Sequence, residues 1–413
     1  MTAQLLFYII LGIVVLSFIF EQYLDHINAK KFNDEVPDEL KDVYDEKEYQ
    51  KSQAYKAAKH KFVTFSSWIS FIAIVVFLLL DGFAYVNQLA FSITSQPIAV
   101  GLLFFGILLL ASDILSTPFS YYSTFVIEEK FGFNKTTKKL FWLDKLKGWL
   151  VGAILGGIIL SLIIWFFQKF PDTFWLYAWI LISLFSLIMN MFYTKLIVPL
   201  FNKQTPLENG SLRDKIESYA ETVGFQLDNI FVIDGSKRST KANAYFSGFG
   251  SQKQITLYDT LVNDLEEEEI VAVLAHEVGH YKHKHIIYNL VISIISTGFT
   301  LWIISLMIGN PLLYEALGVE KPGFHIGLVA FGLLYSPIST LTGLLMNMLS
   351  RKFEYQADNY AKDTFDGKFL LQALKKLSRK SLSNLTPHPL YVQIHYSHPS
   401  LLQRVKNLKR RKS

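Results

Sequence analysis

Seven apolar runs divide the chain, at about residues 3–20, 62–81, 98–117, 150–168, 173–196, 286–308 and 324–347. Each approaches the roughly 20 residues a helix needs to cross the hydrocarbon core. No basic stretch precedes the first run and no small-residue cleavage site follows it, so it is expected to stay as a span. The pattern changes in the polar stretch 197–285. Leu212 to Val223 has helical periodicity, and Asn229 to Asp234 reads as a short strand. Asn243–Phe249 and Gln254–Tyr258 then alternate as a hairpin around Gly250–Lys253. A helix is expected from Asp264, capped by Asp264 and boxed by Glu267, with Glu266 to Glu269 at its positive end.

Composition supports the membrane reading. Hydrophobic residues make up 51% of 413 and charged residues 18%, with mean hydropathy +0.27. An ordinary soluble chain is less apolar. Lysine crowds the loops at 21–61 and 118–149, and the 197–285 stretch and the tail are basic too. The positive-inside rule therefore puts the amino terminus outside and the carboxyl terminus in the cytoplasm. This topology accounts for the net charge of +5, so no nucleic-acid partner is needed. There is no cysteine, which excludes disulfides and thiolate metal sites.

The chemistry centres on His276-Glu277-Val278-Gly279-His280. Histidines four apart share a helical face and can meet one metal, and the glutamate between them can serve as a base. The helix has charge on both sides of the motif, Glu266–Glu269 before it and Lys282–His285 after it. Burial within the bilayer is thus too costly. A catalytic site of this kind usually takes a third protein ligand. His283 is set aside: on one continuous helix it stands about 10 Å along the axis from His276. It reads as a helix-end histidine complementing the dipole.

Glu354 is the better third ligand. Span six starts about six residues after His280 and span seven ends about seven before Glu354, so both lie roughly 9–10 Å from one membrane face. Antiparallel neighbouring spans would bring them together. Asp358, one turn further, is placed to accept the spare ring N–H of a metal-bound histidine. Two histidines and a carboxylate favour zinc over magnesium or calcium. Ser336, Thr340, Gly343 and Asn347 form a stripe on the same face as Glu354, and it lines either a water-accessible chamber or a close helix contact. Asp113 is an ionisable group inside span three with no partner evident from the sequence.

These residues carry a resemblance. The His276–His280 and Ser350–Asp358 segments resemble the type I CAAX prenyl endopeptidase family, integral-membrane zinc proteases, as do Thr117–Ser120, Phe125–Lys135, Pro199–Lys203, Asp234–Arg238, Asn243–Tyr245 and Ser397–Pro399. Stress-response membrane metalloproteases share the zinc motifs, but they are shorter and are not expected to carry the 117–135 block. The resemblance implies one zinc ion per chain on His276, His280 and Glu354, with Glu277 as general base. It further implies His398 and Arg404 on the oxyanion and a substrate strand bound near Asn243, Ala244 and Tyr245. His388 and His395 receive no role.

The expected fold is an α-helical integral membrane protein, seven transmembrane helices enclosing a chamber, with a small cytoplasmic α+β zinc-metalloprotease unit. Residues 1–196 would carry five spans, 197–285 the protease unit, 286–347 spans six and seven, and 348–413 a cytoplasmic region with the third ligand. The implied activity is peptide hydrolysis at the cytoplasmic membrane face, on proteins ending in a prenylated Cys-aliphatic-aliphatic-X sequence, with membrane lipid as a further partner. Membrane-protein turnover without a prenyl requirement is the alternative, and a transporter with a structural metal is a rival from another class. The host membrane would be the cell membrane in a bacterium or the endoplasmic reticulum in a eukaryote.

Overall fold

The computed structural model describes residues 1–225, 229–247 and 254–410. Each apolar run lies on a long helix: Ala3–Ala29, Glu46–Leu79, Pro97–Glu128, Lys138–Lys169, Phe174–Phe201, His285–Met307 and Phe324–Thr364. An odd number of crossings puts the termini on opposite faces, with the motif helix on the carboxyl-terminal side. Two spans continue well past their apolar parts. The second begins at Glu46 with an Asp45–Glu48 capping box, and the seventh runs 41 residues to Thr364. At 1.5 Å per residue the seventh is about 60 Å long, twice the hydrocarbon thickness.

The spans pack loosely. Only 6 to 17% of the residues in each span's most apolar window are buried. An added Cβ at Gly106, Gly152, Gly156, Gly157 or Gly343 would meet no atom within 4 Å. Gly343 therefore does not serve close helix packing, which removes that account of the stripe at this position. Asn347 at the stripe's end is engaged, donating 2.6 Å to the Ile394 carbonyl. Asp113 does have partners: Lys145 Nζ at 2.6 Å and Trp149 Nε1 at 3.1 Å, both on span four. An ion pair explains how a carboxylate persists at that depth.

The polar unit is built on a four-stranded sheet of β1 (Gln204–Pro206), β2 (Asn229–Ile233), β3 (Ala244–Ser247) and β4 (Gln254–Tyr258), in the order β1-β2-β4-β3. β2 and β4 are parallel and the other pairs antiparallel; β3 stands last in the order, an edge strand among the described residues. The expected turn at Gly250–Lys253, with Gly248 and Phe249, lies outside the described residues. The unit's core joins distant stretches: Ile230, Ile255 and Leu257 of the sheet, Leu274, Ala275 and Val278 of the motif helix, and Ala361, Leu370 and Leu408 from the carboxyl-terminal region.

One expectation about the motif helix is corrected. It spans Glu267–Lys282, and its capping box is Glu266 with Glu269, not Asp264 with Glu267. Asp264 instead closes a separate short helix, Asp259–Asp264, and pairs with Lys380 at 2.8 Å. Leu265 between them is extended and buried, which sets the later start. The far end falls among Lys282–His285, as the charge pattern suggested, and the helix does not run on into span six. It stops at His283, and Lys284 takes a left-handed φ of 58° before the next helix begins at His285. A non-glycine residue made the break that glycine usually makes.

Candidate metal centre

The geometry of the site begins with a close helix contact. The motif helix lies along the polar end of the seventh helix, and Gly279 is what admits it. A Cβ there would stand 3.0 Å from Ala357 Cα and 3.1 Å from its carbonyl oxygen. Ala357 sits between Glu354 and Asp358, so this contact sets the two carboxylates against the two motif histidines. Span six packs more on span five than on span seven. The extensions beyond the membrane, rather than the spans themselves, carry the approach.

His276, His280 and Glu354 each offer a donor atom, and the three lie within 4.8 Å of one another. Nε2 of His276 and Nε2 of His280 are 3.1 Å apart. Glu354 Oε1 is 3.3 Å from His280 Nε2, and Oε2 is 3.5 Å from His276 Nε2. A tetrahedral ion with ligands at about 2.0–2.1 Å holds its donors roughly 3.3 Å apart, so the triplet fits one. Glu354 Oε2 is also buried without a hydrogen-bond partner. Such an orphan oxygen is costly unless a cation meets it.

Around the triplet, Asp358 is fully buried, with Oδ1 3.0 Å from His276 Nδ1. Arg404, on the helix Leu401–Lys409, forks onto it: Nε to Oδ2 at 3.0 Å and Nη2 to Oδ1 at 2.5 Å. Its third nitrogen is 3.7 Å from Glu354 Oε2. Burial works against charge on the His276 ring, but the carboxylates of Asp358 and Glu354 outweigh it and raise its pKa to about 9. A metal binds the neutral ring, so loading displaces a proton. Burial likewise opposes the Arg404 charge, and Asp358 more than restores it, raising its pKa.

Glu277 is partly exposed and makes no hydrogen bond among the described residues. His398 is exposed, on the loop between the helices Pro389–His395 and Leu401–Lys409, with Nε2 3.3 Å from Glu354 Oε1. The structure thus brings His276, His280, Glu354, Asp358, His398 and Arg404 to one place. The guanidinium of Arg404 is largely committed to Asp358, a contact the sequence did not suggest. Asn347 and Arg351, from the seventh helix, hold the carbonyls of Val392, Ile394 and Tyr396, and so fix the start of the His398 loop.

β3 touches the motif helix. Asn243 is exposed just before it, its Oδ1 accepting from the Ala244 amide at 2.9 Å. Ala244 and Tyr245 pair with Leu257 and Thr256 of β4. Lys241 anchors the strand's approach to the membrane helices, donating to Glu128 Oε2 at 2.9 Å and to the Tyr55 hydroxyl at 3.0 Å. Histidines without a role are placed as well. His283 is exposed at the end of the motif helix, His388 caps the helix Pro389–His395, and His395 faces Glu21 at 3.3 Å.

The chain is similar to known proteins along nearly its whole length. Residues 25–203 match the family described as CAAX prenyl protease N-terminal, five membrane helices, and residues 206–412 match peptidase family M48. CAAX prenyl protease 1 of Saccharomyces cerevisiae is 37% identical, the match covering 96% of this chain and 94% of that protein. CAAX prenyl protease 1 homolog of Homo sapiens is 33% identical, covering 91% and 88%. The crystal structure of S. mikatae Ste24p superimposes with a TM-score of 0.94 at 38% identity, over 98% of this chain and 99% of that one. A peptidase lineage leaves the transporter reading without support. With His276, His280 and Glu354 gathered at one point and seven helices long and apolar enough to cross a membrane, the chain belongs to peptidase family M48 and is a multi-pass membrane metallopeptidase.

Proposed function

We propose that the chain is a zinc endopeptidase that trims the carboxyl termini of prenylated proteins at the cytoplasmic membrane face. Its amino terminus would lie outside and its carboxyl terminus in the cytoplasm. The observation that carries this is the triplet of His276, His280 and Glu354, whose donors lie 3.1 to 3.5 Å apart in the same motif as Glu277, which has no hydrogen-bond partner among the described residues. Zinc held there would polarise the scissile carbonyl and acidify the attacking water. Glu277 takes the proton from that water and passes it to the leaving amine. His398, open to solvent beside Glu354, donates to the developing oxyanion. Arg404 lends positive charge to the same side while holding Asp358, which fixes the His276 ring. A peptide adds to the edge of β3 next to the motif helix, with Asn243, Ala244 and Tyr245 supplying backbone and side-chain contacts. The lipid tail would lie among the loosely packed spans.

The test is cleavage of a fluorogenic farnesylated peptide of the Cys-aliphatic-aliphatic-X type, beside its unprenylated twin, by full-length protein in detergent. Glu277→Gln should lower the rate by about 10²–10⁴-fold while still binding zinc. Chelation should abolish cleavage and zinc should restore it. Equal cleavage of the twin would remove the prenyl requirement and favour membrane-protein turnover. Full activity in Glu277→Gln would sink the mechanism.

A further inference from the structure

His285, the first residue of span six, is buried to 2% exposure and takes no part in the chemistry so far. Its ring stacks on Phe353, centroids 4.1 Å apart and planes at 12°. Nδ1 of His285 is 3.0 Å from Nδ1 of His280. Nε2 of His285 is 2.8 Å from Oε1 of Gln356, which stands two residues past Glu354. The three groups form a chain from the His280 nitrogen turned away from the metal to the helix that carries Glu354.

From this geometry we infer that His285 is the positioning residue for His280, the counterpart of Asp358 for His276. The inference rests on the reading of His280 as a metal ligand. Ligation through Nε2 requires a bare lone pair there, so the His280 proton must sit on Nδ1. Two ring nitrogens 3.0 Å apart need one proton between them, so His285 Nδ1 accepts it. His285 must then carry its own proton on Nε2, and Gln356 Oε1 accepts that one. Each step leaves one tautomer, and all three agree. The two histidine ligands are therefore held differently, His276 by a buried carboxylate and His280 by a neutral imidazole. The break at Lys284 creates this arrangement, because a continuous helix would carry position 285 away from His280's face.

The experiment measures zinc affinity by chelator competition on full-length protein in detergent, with the unfolding midpoint of the zinc-free form followed in parallel. His285→Phe keeps the stack on Phe353 and removes the acceptor. It should weaken zinc binding by about 10–100-fold, the usual consequence of losing an outer partner of a ligand. His285→Gln, whose amide oxygen can accept from His280, should recover most of the loss. A merely structural role would lower the midpoint and leave affinity unchanged. Where His285→Phe does not fold, Gln356→Leu takes its place and should weaken binding in the same direction. Wild-type affinity in the folded variant overturns the inference. A wild-type protein that takes up no zinc overturns the ligand reading, and the relay with it.

Discussion

At the scale of residues, the site is a set of paired obligations. Asp358 has no exposure and Arg404 little, so neither charge reaches water freely. Each is tolerable because the other is there, and His276 shares the same carboxylate. Arg404→Ala would leave Asp358 charged, buried and short of its main partner. The expected cost is about 3–5 kcal/mol, read as a fall in the unfolding midpoint in detergent. Asp358→Ala with Arg404→Ala together should cost less than the sum of the two singles. An additive double variant would mean the pair is not the source of the penalty.

At the scale of elements, the approach of two helices decides whether there is a site at all. Gly279 lies inside the motif and has no chemistry of its own. Its bare Cα lets the motif helix settle onto Ala357, with backbone atoms where a Cβ would press. Gly279→Ala should therefore push apart the helices that carry the histidines and Glu354. A destabilisation of about 1–3 kcal/mol is expected, the usual cost of overpacking. Zinc affinity should fall with it, because the donor spacing depends on the same contact. Unchanged affinity beside a lowered midpoint would separate packing from ligation. The turn at Lys284 works in the same way, since a short departure from helix re-aims His285.

At the scale of the whole molecule, seven long helices carry the catalytic unit, and few residues in their most apolar stretches are fully buried. Along the seventh, Thr340 is exposed and Gly343 has open space around it, on the face that leads to Glu354. If that space holds water, cysteines placed at 340 and 343 will react with an aqueous thiol reagent, and the natural chain, having no cysteine, gives a clean background. No labelling at either position would mean the stripe faces lipid.

Much of this could be read from residues in order, because the relevant physics is local. Spans follow from runs of apolar side chains about as long as the bilayer is thick. His276 and His280 follow from the helical period, and Glu354 from counting residues to a shared membrane face. Other features depend on what distant segments bring. The cap moved from Asp264 to Glu266 because Leu265 is held in a core that also includes Leu370 and Leu408. Asp113 found Lys145 across a helix interface that sequence spacing does not encode. The sequence by itself determined the spans, the motif and the donor types, since these rest on composition and period. Only the tertiary structure decided that Arg404 grips Asp358 and that His285 backs His280. The two side-chain contacts join residues 46 and 5 positions apart, and no local preference selects them over others.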